Sequence, residues 1–63
     1  SADELPQVGA LGVARTDLRP VGTVEIAEKR YEAVSAQHLR CGEAVRVTAV
    51  QGRRLRVEKS DET

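Results

Sequence analysis

The side chains best suited to chemistry in this chain are basic. Arg40, Arg46, Arg53, Arg54 and Arg56 crowd the stretch from 40 to 56, opposed within it only by Glu43. Guanidinium groups present paired N–H donors that fit phosphates and carboxylates. Such a set is suited to a nucleic-acid backbone, an anionic lipid headgroup or an acidic protein face. Proteins that hold single strands add aromatic platforms on which bases stack. Here Tyr31 is the one aromatic residue, and ten acidic side chains cancel ten basic ones. Nucleic acid is therefore the alternative expectation, and an ordinary solvated face, balanced across strands by Glu25, Glu32 and Glu43, is the plain one.

Other reactive types are sparse. Ser35, His38 and Asp17 could in principle form a nucleophile, base and orienting acid. No G-x-S-x-G elbow accompanies them, however, and three such residues arise readily by chance, so no catalytic residue is assigned. His38 is expected in a solvated link, and Asp17 is expected to cap a turn ahead of Leu18. One cysteine and one histidine cannot make an internal disulfide or a four-ligand zinc site. No metal or cofactor is expected. Cys41 reads as a small, half-buried side chain beside a turn glycine, and Asp3 and Glu4 as solubilising charges.

Short strands must position these groups. Gly9 and Gly12 punctuate a first strand that bends and ends at Val13 and Ala14. Pro20 fixes its own φ and biases Arg19 towards extended backbone. From Gly22 to Ala27, Val24 and Ile26 alternate with Thr23 and Glu25, the pattern of a half-buried strand. Glu28 and Lys29 connect it to Arg30–Ala36, which places Tyr31, Ala33 and Ser35 on one side and Glu32, Val34 and Ala36 on the other, making a hairpin. A helix over Ala27 to Arg40 is the alternative, although its apolar positions do not recur at three or four. Leu39 is expected to be buried in the link from Gln37 to Gly42. In Glu43–Val50, Val45, Val47 and Ala49 face the core while Arg46 and Thr48 face water. Gln51-Gly52 turns the chain into a last strand with Leu55 and Val57 inside.

At 63 residues the chain is one domain that buries only about 60% of its unfolded surface, with a core of Val and Leu. The expectation is an all-β fold: a small five-stranded antiparallel barrel, OB-fold-like, lacking the usual α-helix between strands 3 and 4. Residues 8–58 form the domain, with disordered tails at 1–7 and 59–63. Full closure of the barrel stays open, because strands one and five are short. The chain has no methionine and reads as a piece of a longer protein. It contains no run near the roughly 20 apolar residues that cross a bilayer, so the piece itself is expected to be soluble and monomeric.

On such a barrel Arg46, Arg54 and Arg56 would share the outer face as a basic stripe. Five arginines beside an anionic membrane, at roughly 1 kcal/mol each, would orient the domain. A second candidate surface is the loop from Ala14 to Gly22. If exposed, Leu18 would be an apolar anchor flanked by Arg15 and Arg19, a pattern found at interfaces. Otherwise Gly12, Pro20 and Gly22 simply make the corners of the barrel.

The string GALGVARTDLRPVGTVEI, then RYEAVSA, GEAVRVTAV and QGRRLRVE, resembles the C-terminal soluble domain of NfeD-like membrane proteins. The matching positions are Gly12, Ala14, Thr16, Leu18, Pro20, Gly22 and Val24, then Tyr31, Ala33 and Ser35, then Gly42, Val45, Val47, Gly52, Leu55 and Val57. Tyr31 stands where many relatives have tryptophan. The resemblance implies an OB-fold domain carried at the C-terminal end of a multi-pass membrane anchor, whose protein works with a stomatin, prohibitin or flotillin-type partner; the cytoplasmic side of the membrane is the expected location. The resemblance also implies a non-enzymatic interaction role. Longer members carry a Clp-type serine protease domain, so an accessory role beside such a protease is a further alternative.

Overall fold

The computed structural model describes residues 4–61. The outer parts of the expected tails, 1–3 with Asp3 and 62–63, lie outside the described residues. The strands are β1 (Leu11–Ala14), β2 (Val21–Ile26), β3 (Lys29–Val34), β4 (Ala44–Gln51) and β5 (Arg54–Lys59). They hydrogen-bond in the order β1-β2-β3-β5-β4, with β4 returning to β1 to close the barrel. This is the all-β, OB-like barrel expected, and the segment read alternatively as a helix is strand and loop. The ladder is not wholly antiparallel: β5 lies parallel to β3 through Ala33–Leu55 and Val34–Arg56. Five strands in a ring cannot alternate direction all the way round, so one pair must run parallel.

The inner faces follow the period-two pattern. Ala14, Val24, Ile26, Ala33, Val45, Val47, Leu55 and Val57 are buried together, with Ala10 and Tyr31 packed against them. One strand departs from the pattern. A bulge between Val47 and Ala49 shifts the register, so Ala49, expected in the core, lies opposite Arg56. An extra residue in one strand changes the parity of everything after it.

Two leucines from connections complete the core. Leu18, between β1 and β2, and Leu39, between β3 and β4, exchange backbone hydrogen bonds, Leu18 N–H to the Leu39 carbonyl at 2.8 Å and Leu39 N–H back at 3.2 Å. Both side chains are fully buried. The pair plugs an end of the barrel with side chains alone.

Gly12 and Gly22 are not corners, as expected, but strand residues at close crossings. A Cβ on Gly12 would meet the Glu25 carbonyl oxygen, and one on Gly22 would meet the Asp17 carbonyl oxygen, the Leu18 side chain and Thr16 Oγ1. The Arg19–Pro20 peptide bond is cis, and the Pro20 carbonyl accepts the Ser35 N–H at 2.9 Å. At the chain's end, Lys59 and Ser60 correct the expected tail. Lys59 closes β5 opposite Val45, and Ser60 is buried with its N–H on the Ala44 carbonyl at 2.9 Å.

The β2–β3 hairpin turns on Ala27 and Glu28, one residue earlier than expected, because Lys29 already pairs with Ile26. Both turn residues have positive φ, 54° and 69°, the geometry of a two-residue hairpin loop that Asn-Gly fits best.

Leu39→Ala is expected to cost about 3 kcal/mol out of a total that, for a domain of this size, is roughly 3–9 kcal/mol. Urea denaturation should show a midpoint lowered by about a third or more, with an unchanged slope. In the opposite direction, Ala27→Asn with Glu28→Gly relieves the Cβ clash of the left-handed conformation, about 1 kcal/mol, and calorimetry should show Tm rising by roughly 4–8 °C.

Candidate functional site

The loop offered as a partner-binding element is held down, not presented. Leu18 is 0% exposed, so it cannot be the surface anchor that its flanking arginines suggested. Its amide and carbonyl are committed to Leu39, and its side chain is part of the core. Arg15 and Arg19 remain on the surface, each engaged. Arg15 Nε lies 3.3 Å from Glu25 Oε1. Arg19 places Nη2 3.5 Å from Asp17 Oδ2 and donates from Nε to His38 Nε2 at 2.9 Å.

Asp17 does more than the local cap expected of it. Its Oδ1 accepts the Cys41 N–H at 2.9 Å, tying the β1–β2 connection to the β3–β4 connection. Cys41 is exposed, not half-buried as expected, and its thiol donates to the Arg15 carbonyl at 3.1 Å. Thr16 Oγ1 accepts the Thr23 N–H at 3.0 Å and donates to the Asp17 carbonyl at 3.0 Å. The two contacts of Cys41, with Asp17 and Arg15, join residues far apart in sequence, which is why composition and spacing do not reveal them.

The residues of the hypothetical triad are likewise spoken for. Ser35 is buried, and its Oγ accepts the Gln37 N–H at 3.1 Å, while His38 faces Arg19. Among the described residues, no group of three His, Cys, Asp or Glu side chains is arranged to hold a metal ion.

The basic stripe on β4 and β5 is divided by its neighbours. Arg54 Nη2 lies 2.7 Å from Glu32 Oε2. Glu43 takes Lys59 at 3.7 Å and the Arg40 N–H at 2.9 Å. Exposed pairs of this kind contribute about 0–1 kcal/mol, so they fix side chains more than they stabilise the fold. Arg46 is half-buried between Leu11 on β1 and Glu58 on β5, and its Nε is enclosed without a hydrogen-bond partner. Arg56 is exposed, and no ion pair forms on it among the described residues.

Apolar side chains on the outer wall were missed as candidates. Leu11 is 47% exposed, Val21 44% and Val13 38%. Val21 carried a legible signal, since it shares the parity of outward-facing Thr23 and Glu25. The expected strand begins at Gly22, and β2 begins one residue earlier, at Val21.

A family model, the NfeD-like C-terminal, partner-binding domain, matches residues 6–59. The chain belongs to this family. A solved structure agrees: the C-terminal domain of stomatin operon partner protein 1510-C from Pyrococcus horikoshii is similar to it with a TM-score of 0.82 and 26% identity, over 87% of this chain and 89% of that one. No curated protein matches the sequence. The NfeD-like domain is thus a barrel whose arginines divide into two groups. Arg15, Arg19, Arg30 and Arg54 are paired with carboxylates of the same barrel, while among the described residues Arg40, Arg46, Arg53 and Arg56 form no ion pair.

That division predicts different stabilities. Asp17→Ala removes the acceptor joining the two connections and should cost about 1–2 kcal/mol. Arg56→Ala should stay within roughly 0.5 kcal/mol of the parent. Paired thermal melts would separate the two, and equal shifts would contradict the assignment.

Proposed function

We propose that this chain is a non-enzymatic interaction domain of a membrane-anchored NfeD-like protein and that it engages a stomatin, prohibitin or flotillin-type protein. The observation that carries this reading is the match of residues 6–59 to a partner-binding domain. The name of the Pyrococcus relative, a stomatin operon partner protein, supports a stomatin-type partner. The site supports the same reading, since Ser35, His38 and Asp17 are each tied to other groups and leave no nucleophile beside a base. The exposed thiol of Cys41 suits the reducing cytoplasmic side of a membrane.

Size limits how the contact is made. The surface of the chain is 4211 Å², and a standard interface takes about 800 Å² from each partner, roughly a fifth of that. One wall of the barrel is enough. Every strand has a neighbour on both sides, although β3 and β5 pair only at Ala33–Leu55 and Val34–Arg56.

Immobilised chain titrated with the soluble region of a stomatin-type protein should show saturable binding, micromolar or tighter for an interface of this size. Vesicles containing anionic lipid and a short single-stranded oligonucleotide serve as parallel analytes. Saturable binding to either of these, with none to the protein, would overturn the reading.

A further inference from the structure

Resting on the partner-binding reading, the geometry points to the wall centred on Arg56 as the docking surface, and to a partner segment that carries a carboxylate beside aliphatic side chains. Ladder register aligns four residues side by side around the outside of the barrel. Val21 on β2 lies opposite Val34 on β3, Val34 beside Arg56 on β5, and Arg56 opposite Ala49 on β4. Directly paired residues point to the same side of a sheet. Arg56 projects outward because its neighbours Leu55 and Val57 are buried, so the other three share its face.

Two irregularities of the fold create this row. The bulge between Val47 and Ala49 brings an alanine, in place of a polar residue, up against Arg56. The parallel contact of β3 with β5 brings Val34 to the other side. Beyond Val34 the two strands separate, and a depression of about 180 Å³ opens, lined by Ala36, Gln37, Thr48, Arg56 and Glu58 among others. This volume accepts one or two side chains of a partner.

Charge selects the partner. Arg15, Arg19 and Arg54 already face carboxylates of their own barrel, and Arg46 has Glu58 opposite it. Arg56 alone among these has aliphatic side chains on both sides across the ladder. A guanidinium flanked by Val34 and Ala49 is partly desolvated once the wall is covered, which strengthens its attraction to an incoming carboxylate and penalises a partner that offers none. The aliphatic neighbours supply apolar area that a purely acidic segment would not use. A segment with alternating or adjacent acidic and aliphatic residues satisfies both.

Two probes test the surface. The first is a synthetic peptide of alternating Leu and Glu added to isotope-labelled chain, with Leu–Lys and Ser–Glu peptides as controls. The Leu–Glu peptide should shift the amide signals of Val21, Val34, Ala49 and Arg56, and the two controls should not. The second is the soluble region of a stomatin-type protein. Arg56→Glu should weaken its binding at least about tenfold, and Val21→Ser, at an exposed site, should weaken it several-fold, with unchanged amide dispersion showing that both variants are folded. If the stomatin-type protein binds the parent and Arg56→Glu equally, the surface is wrong while the partner-binding reading stands. If that protein does not bind but the Leu–Glu peptide maps to the row, the surface stands and the stomatin-type partner is wrong. Shifts confined to another wall, or none with either probe, would overturn the surface outright.

Discussion

The reciprocal backbone contact of Leu18 with Leu39 is the constraint on which the rest of the barrel depends. A barrel of five short strands has two open ends, and an aliphatic core this small loses much of its driving force if water enters through one of them. Here two connections, distant in sequence, reach across that end, satisfy each other's amide and carbonyl and place two leucines over the core. Around the pair, Asp17 holds Cys41, and the Ala14 carbonyl takes the Gly42 N–H at 2.7 Å. Gly22 lets β2 pass close enough to the connection for the clamp to form. Polar atoms of the loops are used up in holding the end shut, which leaves little there for chemistry.

That arrangement is consistent with the proposal that the partner meets the wall. The interior is filled by aliphatic side chains without a ligand-binding chamber among them, and the candidate catalytic residues are structural. The outer face keeps its freedom because side chains there contribute little to stability. Ion pairs still shape it. Arg54 pairs with Glu32, while Arg15 and Arg30 meet at Glu25 on the far side of the barrel, so the charge that crowds one stretch of sequence is engaged unevenly around the surface.

Much of the fold was legible beforehand, and the reasons are physical. Alternation of Val24 with Thr23 and Glu25, or of Leu55 with Arg54 and Arg56, records which side of a half-buried strand faces water. The turn at Gln51-Gly52 and the burial of Leu39 were read from local chemistry of the same kind. Failures occurred where a distant contact overrode a local signal. Leu18, flanked by arginines in a polar loop, has the look of an exposed anchor, yet its partner is twenty-one residues away at Leu39. Asp17 resembles a local cap, but its acceptor oxygen reaches Cys41. Gly12 and Gly22 signal special backbone, and only the crossing strands show that the need is for space and not for a turn.

By itself, the sequence determined the strands, their inner faces, the absence of cross-links and a family signature spread along the chain, because each of these is written in local periodicity or in residue type. Tertiary structure alone decided which strands became neighbours, that β3 and β5 run parallel, and that a bulge in β4 sets Ala49 beside Arg56. The parallel pair comes from closing an odd number of strands into a ring, and the neighbour order and the bulge from pairing between distant strands, conditions on the whole chain that no local stretch encodes. The surface row of Val21, Val34, Arg56 and Ala49 exists only because that ring closes.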